Sequence, residues 1–146
     1  MPLISDYMNK DHKHCDEAFA RAENTATAGD WTGLERDGGT FLRAIERHIE
    51  VEEGLLFPAF EKETGMSSGP TETMCMEHEQ MRGMFAQMRA AIEARDAAQY
   101  LDIAETLHML LQQHNMKEES MMYPMLDQAL GEGAHSLLTQ LESLAA

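Results

Sequence analysis

Apolar positions recur in steps of three and four along four stretches of this chain, the spacing that lines one face of a helix. The first stripe is Ile4, Met8, His12, Cys15, Phe19, Ala22 and Ala26. The second is Phe41, Ile45, His48, Glu52 and Leu55/Leu56, and the third is Cys75, His78, Met81/Arg82, Phe85, Met88 and Ile92. The fourth is Ile103/Ala104, Leu107, Leu111, His114, Glu118, Met121/Met122 and Met125. No stretch alternates like a strand for any length. Ser5 or Asp6 is placed to cap the first helix, Gly29 to stop it and Asp30 to cap the next. The second helix is predicted over Trp31 to Glu63, with Pro58 kinking or interrupting it because proline removes a backbone donor. Gly65 to Pro70 is the one obvious linker. The third helix is predicted over Thr71 to Ala94, and Asp96 with Gln99 forms a capping-box pattern for the fourth. Pro124 repeats the kink, and Gly131 and Gly133 end that helix. Leu137, Leu138, Leu141 and Leu144 predict a short helix over 134–145 that covers one end. The expectation is an all-α fold, an up-down-up-down four-helix bundle in a single domain over 1–146.

The halves repeat. His48-Ile49-Glu50-Val51-Glu52-Glu53, with Phe57-Pro58 beyond, lines up with His114-Asn115-Met116-Lys117-Glu118-Glu119, with Tyr123-Pro124 beyond. The offset of 66 residues (48 to 114) also carries His12 onto His78, Phe19 onto Phe85, Phe41 onto Leu107 and Ile45 onto Leu111. The bundle is therefore two pseudo-repeated helical hairpins, about 4–64 and 70–130. Each supplies one histidine from its first helix and a His-x-x-x-Glu pair from its second.

That repeat places four histidines (His12, His48, His78, His114) and two glutamates (Glu52, Glu118) on the apolar stripes. A lone histidine on such a face is usually a satisfied core residue, and a lone His-x-x-x-Glu is usually a surface pair. Six together are harder to explain, because an unpaired buried carboxylate costs several kcal/mol. No interior lysine is available to balance them. Two divalent ions and a bridging hydroxide bring the formal charge close to zero. The ligand count favours two metals, each holding two imidazoles, with both glutamates and a solvent oxygen bridging and one position open on each ion. Imidazole with carboxylate suits iron ahead of zinc or manganese. The order His-x-x-x-Glu also differs from the Glu-x-x-His of ferritin-like bundles. His14, His108 and His135 fall off the stripes or in the tail, and Glu53 and Glu119, 100° from the ligand glutamates, are expected to be solvated.

Composition narrows the function class. A formal net charge of −15 disfavours nucleic acid and anionic membranes as partners. No apolar run is long enough to span a bilayer. Asp6, Asn9, Lys10 and Asp11 break any signal-peptide pattern. Two cysteines do not make a disulfide framework, so a cytoplasmic location is expected. The 13 methionines read as flexible core filler.

His, His-x-x-x-Glu, His, His-x-x-x-Glu on four helices, with Leu-Phe-Pro or Met-Tyr-Pro after each glutamate pair, resembles the hemerythrin-like (HHE cation-binding) family from about Ile4 to Ala129. The Asp11-His12 and Cys15-Asp16 opening resembles its stand-alone bacterial members. The resemblance implies that His12, His48, Glu52, His78, His114 and Glu118 ligate a non-haem di-iron centre, two iron ions with a bridging oxo or hydroxo group. Oxygen-carrying members have His-x-x-x-His on the third helix, whereas Arg82 follows His78 here. The chain is closer to six-ligand members, among them iron-centre repair proteins. Those carry a Cys-bearing N-terminal segment not found in this sequence.

Four further residues are candidates for contact with the centre: Cys15, Asp16, Arg82 and Tyr123. The repeat maps Arg82 onto Asp16, so Asp16 is the expected partner of Arg82, with exposure of the guanidinium as the alternative. Tyr123 reads either as a neighbour of the ligands or as packing. Cys15 and Cys75 are too far apart to bond. Three functions follow: reversible binding of O2 or NO for sensing, buffering or stress response; a repair or NO- or peroxide-reducing factor; and a structural metal bundle. A gas-binding protein is favoured over a turnover enzyme, and an unidentified protein partner is possible.

Overall fold

The computed structural model describes residues 3–145. Helix α1 spans Ile4–Thr27 and α2 spans Trp31–Val51. A widened π turn, Glu52–Leu56, leads into α3, Phe57–Thr64. Helices α4 (Pro70–Glu93) and α5 (Ala97–Lys117) follow. A second π turn, Glu118–Met122, leads into α6, Tyr123–Leu130. One turn of 3-10 helix, Gly131–Gly133, joins this to α7, Ala134–Ala145. Among the described residues there is no strand, and no helix is long and apolar enough to cross a membrane.

Most boundary signals act where expected. Asp30 accepts from the Gly33 amide at 3.0 Å, and Asp96 accepts from the Gln99 amide at 3.1 Å. Gly29 and Gly65 take positive φ (71° and 73°), where a side chain would be strained. The start of α1 differs from the expected Ser5 or Asp6 cap. The helix begins at Ile4, one residue before Ser5 and two before Asp6, and a distant acid closes its end. Asp127 of α6 accepts from the Ile4 amide at 2.9 Å and from the Ser5 hydroxyl at 2.6 Å. A carboxylate there also opposes the positive end of the helix dipole.

The prolines act through the π turns. Pro58 has no N–H for the Gly54 carbonyl, so the ladder would break in a straight α-helix. Instead the Phe57 amide reaches back five residues to the Glu52 carbonyl, and the chain stays helical. Pro124 repeats this, with the Tyr123 amide on the Glu118 carbonyl. Each π turn begins on a candidate ligand.

The helices pack as a four-membered ring. Its neighbours are α1 with α2, α2 with α4, α4 with α5 and α5 with α1, leaving α1 and α4 across the diagonal. Two apolar cores fill the ring. One contains Phe19, Phe41, Ile45, Phe85, Leu107 and Leu111. The other contains Ile4, Met8, Leu56, Phe60, Met122 and Leu126, and α7 closes it with Leu138 and Leu141. Along every helix the histidines and glutamates of the stripes fall between these two cores.

Candidate metal centre

His12, His48, His78, His114, Glu52 and Glu118 converge in that layer, and none is more than 4% exposed. They form two groups that share both glutamates. One is His12, His48, Glu52 and Glu118; the other is Glu52, His78, His114 and Glu118. Within each group the nearest donor atoms lie within 4.8 Å of one another. The carboxylates divide their oxygens between the groups. Glu52 points Oε2 at His48 Nε2 (3.4 Å) and Oε1 at His78 Nε2 (3.0 Å). Glu118 points Oε1 at His12 Nε2 (3.0 Å) and Oε2 at His114 Nε2 (3.3 Å). A carboxylate with one oxygen for each of two sites is the arrangement of a bridge.

Each imidazole is held from behind by an acid. His48 Nδ1 lies 2.7 Å from Asp11, and His114 Nδ1 lies 2.7 Å from Glu77. His12 Nδ1 lies 2.7 Å from Glu119, and His78 Nδ1 lies 2.7 Å from Glu53. Each pair crosses a different seam of the ring. A carboxylate behind Nδ1 holds the proton there and turns the bare Nε2 inward, the tautomer a metal needs. Burial alone would raise the carboxyls of Asp11, Glu53 and Glu77. Hydrogen bonds from the imidazoles, and from Arg82 and Lys117 for Glu53 and Glu77, outweigh it and hold all three below their usual range.

The expectation that Glu53 and Glu119 are solvated is therefore corrected. Both keep one edge toward water, yet each holds a buried histidine of the next helix round the ring. The pairing of Arg82 with Asp16 is also corrected. Arg82 instead bonds Glu53, at 2.6 Å, and Glu79. Residues related by the repeat lie across the diagonal, so matching positions on α1 and α4 are not neighbours. Asp16 lies beside Glu119 in a groove of about 520 Å³ between α1 and α5 that reaches His12. Cys15 is buried in the first core, where burial pushes its thiol up to about 12. Cys75 is half-buried beside Glu53 and His78, and burial pushes its thiol up to about 11. Both cysteines are free.

Tyr123 stands closer to the centre than packing requires. Its hydroxyl is 2.6 Å from Glu52 Oε2, 2.9 Å from Glu118 Oε1 and 3.1 Å from both His12 Nε2 and His48 Nε2. The π turn explains why the linear pattern understates this residue. Five residues past Glu118 lies about 140° round a straight α-helix. A turn closed by an i→i+5 bond brings the two to nearly the same face.

The unsatisfied atoms of the donor set fit a metal. Glu52 Oε1, His78 Nε2 and Glu118 Oε2 are buried without a hydrogen bond, although Oε1 of Glu52 stands only 3.0 Å from His78 Nε2. Such atoms cost about 1–3 kcal/mol each unless something binds them. Lone pairs converging in a dry layer fit a cation. Burial opposes a charge on His48, but Glu52 and Asp11 raise its pKa well above the ordinary value. His114 is raised likewise against burial, chiefly by Glu118.

A family model for the hemerythrin HHE cation binding domain matches residues 3–126. The chain belongs to that family. No curated protein and no solved structure matches it. The matched span covers the first hairpin, the second as far as Leu126 in α6, and all six candidate ligands of this HHE domain, and stops short of α7.

Proposed function

We propose that this HHE protein holds two iron ions on His12, His48, His78, His114, Glu52 and Glu118, and binds a small diatomic gas, O2 or NO, there. One observation carries the reading: four inward Nε2 atoms and four carboxylate oxygens converge in a buried layer with only one hydroxyl among them. Iron supplies a redox-active Lewis acid with a free position for the gas. The chain supplies the rest. Asp11, Glu53, Glu77 and Glu119 hold the Nδ1 protons and fix the rings. Phe57 stacks on His78 with ring centroids 6.0 Å apart and shields it from water. The groove beside His12 offers a path for small molecules. Arg82, one turn past His78, is engaged by acids at the surface, so no fifth imidazole occupies that flank.

The test is metal analysis of protein purified from iron-replete cells without added metal, followed by anaerobic reduction and exposure to NO or O2. About two irons per chain and a gas-dependent change in the visible spectrum are expected. Bound zinc with no spectral response refutes the reading. Catalytic loss of NO or peroxide would favour a turnover enzyme.

A further inference from the structure

The two halves of the centre differ at one atom. The repeat carries Phe57 onto Tyr123, so one half has a phenolic oxygen where the other has only a ring edge. We propose that Tyr123 is an additional ligand to the ion held by His12 and His48, making the two metal positions inequivalent and leaving the His78–His114 position open to exogenous ligands. The inference rests on the two-metal reading above.

Three observations carry it. The first is distance. Around an octahedral ion with bonds of about 2.1 Å, neighbouring ligand atoms stand √2 times that apart, about 3.0 Å. The Tyr123 oxygen lies 2.6, 2.9, 3.1 and 3.1 Å from the four donor atoms of its half. Those are the edges of a shared coordination shell. The second is hydrogen-bond supply. With metal bound and the Nδ1 protons held by Asp11 and Glu119, the inward faces of His48 and His12 are lone pairs, as are both carboxylate oxygens. One hydroxyl proton serves one of four acceptors. A hydrogen-bonding tyrosine would be poorly satisfied there, whereas a coordinating one shares a cation with all four.

The third is the asymmetry of the unsatisfied atoms. The three orphans of the layer, Glu52 Oε1, His78 Nε2 and Glu118 Oε2, all face the Phe57 half. Their counterparts in the Tyr123 half all touch the phenol. Phe57 lies nearly parallel to His78, at 5° between ring planes, and offers no donor atom. That ion therefore keeps the vacancy, and the other ion is filled from within the chain. Ligation to ferric iron forms one iron–oxygen bond and releases the phenolic proton to solvent; no electron is transferred.

The experiment loads wild-type protein with ferric iron and records the visible and resonance Raman spectra. A phenolate-to-iron charge-transfer band with phenolate ring vibrations is expected. Tyr123→Phe copies the other half and should keep two irons per chain while losing the band. Phe57→Tyr should strengthen it, toward twofold. Azide is the probe of vacancy: one per centre in the wild type, two in Tyr123→Phe. Wild-type protein that holds two irons without the band overturns the proposal and leaves the di-iron reading intact. A band that survives in Tyr123→Phe, or equal azide stoichiometry in the two proteins, also overturns it. Uptake of fewer than two irons overturns both together.

Discussion

Removing Glu53 tests whether the acids behind the histidines belong to the metal site or only decorate its surface. Glu53 Oε2 is 2.7 Å from Nδ1 of His78, which is fully buried, and Oε1 is 2.6 Å from Arg82. Loss of a carboxylate behind a ligand histidine generally weakens metal binding by about 10- to 100-fold, or about 1.4–2.8 kcal/mol. The surroundings place Glu53→Ala near the upper end. A buried N–H is left without an acceptor, a cost of about 1–3 kcal/mol that water relieves poorly at such a site. Arg82 then keeps only Glu79, on its outer side, as a partner. Glu53→Gln keeps an acceptor for Nδ1 and should lose only about tenfold. Glu119→Ala should also sit near tenfold, because the Glu119 side chain is 44% exposed and water can take its place behind His12. The assay is competition for Zn(II) or Co(II) against a chromophoric chelator, with far-UV circular dichroism as a control for folding. Affinities of Glu53→Ala and Glu119→Ala within twofold of the wild type would refute the assigned role. A larger loss from Glu119→Ala than from Glu53→Ala would refute the argument from burial.

Glu52→Ala and Glu118→Ala should lose stoichiometric metal in the same titration. His12→Ala should lose it while His14→Ala, on an exposed flank of the helix, should not, and equal loss would mean the faces are misassigned. Chelation should lower the melting temperature by about 10 °C in calorimetry, since saturating metal adds about 4 kcal/mol and each kcal/mol moves a chain of this size about 2–4 °C. An unchanged melting temperature would show that metal does not help hold the bundle. The metal-free protein should be most stable between about pH 4.5 and 6.5. Burial would raise the Glu118 carboxyl, but its interaction with Glu52 and hydrogen bonds accepted from His114, His12 and His48 hold it well below 4.5, so its contribution is lost as pH falls through that depressed value. His48 and His114, raised above 6.5, contribute fully below 6.5 and lose that contribution as pH rises through their raised values. The gain in melting temperature from metal should therefore widen toward alkaline pH, where protons also stop competing for imidazole. A steady rise in metal-free stability from pH 6 to 9 would contradict this. Phe41→Ala in the first core should cost about 3–5 kcal/mol in urea unfolding, as for other large buried aromatics.

The chain by itself determined the bundle, the doubled hairpin and the six residues of the central layer. Helical periodicity is a local property, and His48 with Glu52, or His114 with Glu118, share a face simply because they are four residues apart. The repeat then shows that two like hairpins are present, but not how one docks on the other. What only the tertiary structure decided lies across the seams. Glu53 and Glu119 are on the flanks of their own helices and look solvated in isolation; they matter because His78 and His12 stand on the next helix round the ring. Asp11 and Glu77, each directly before a histidine in the sequence, hold not that histidine but one on the neighbouring helix. Asp16 and Arg82 match in the repeat and so invite pairing, yet a pseudo-twofold axis sends matched positions to opposite corners. Tyr123 is the sharpest case. Proline marks a disturbance at residue 124 without saying what form it takes. A kink would turn the tyrosine away from the centre, whereas the π turn that forms shifts the helical phase and aims its hydroxyl at four candidate donor atoms. The widened turn buries Met122 and Tyr123 against the second core, and the apolar side chains that receive them come from other helices, which local sequence does not reveal.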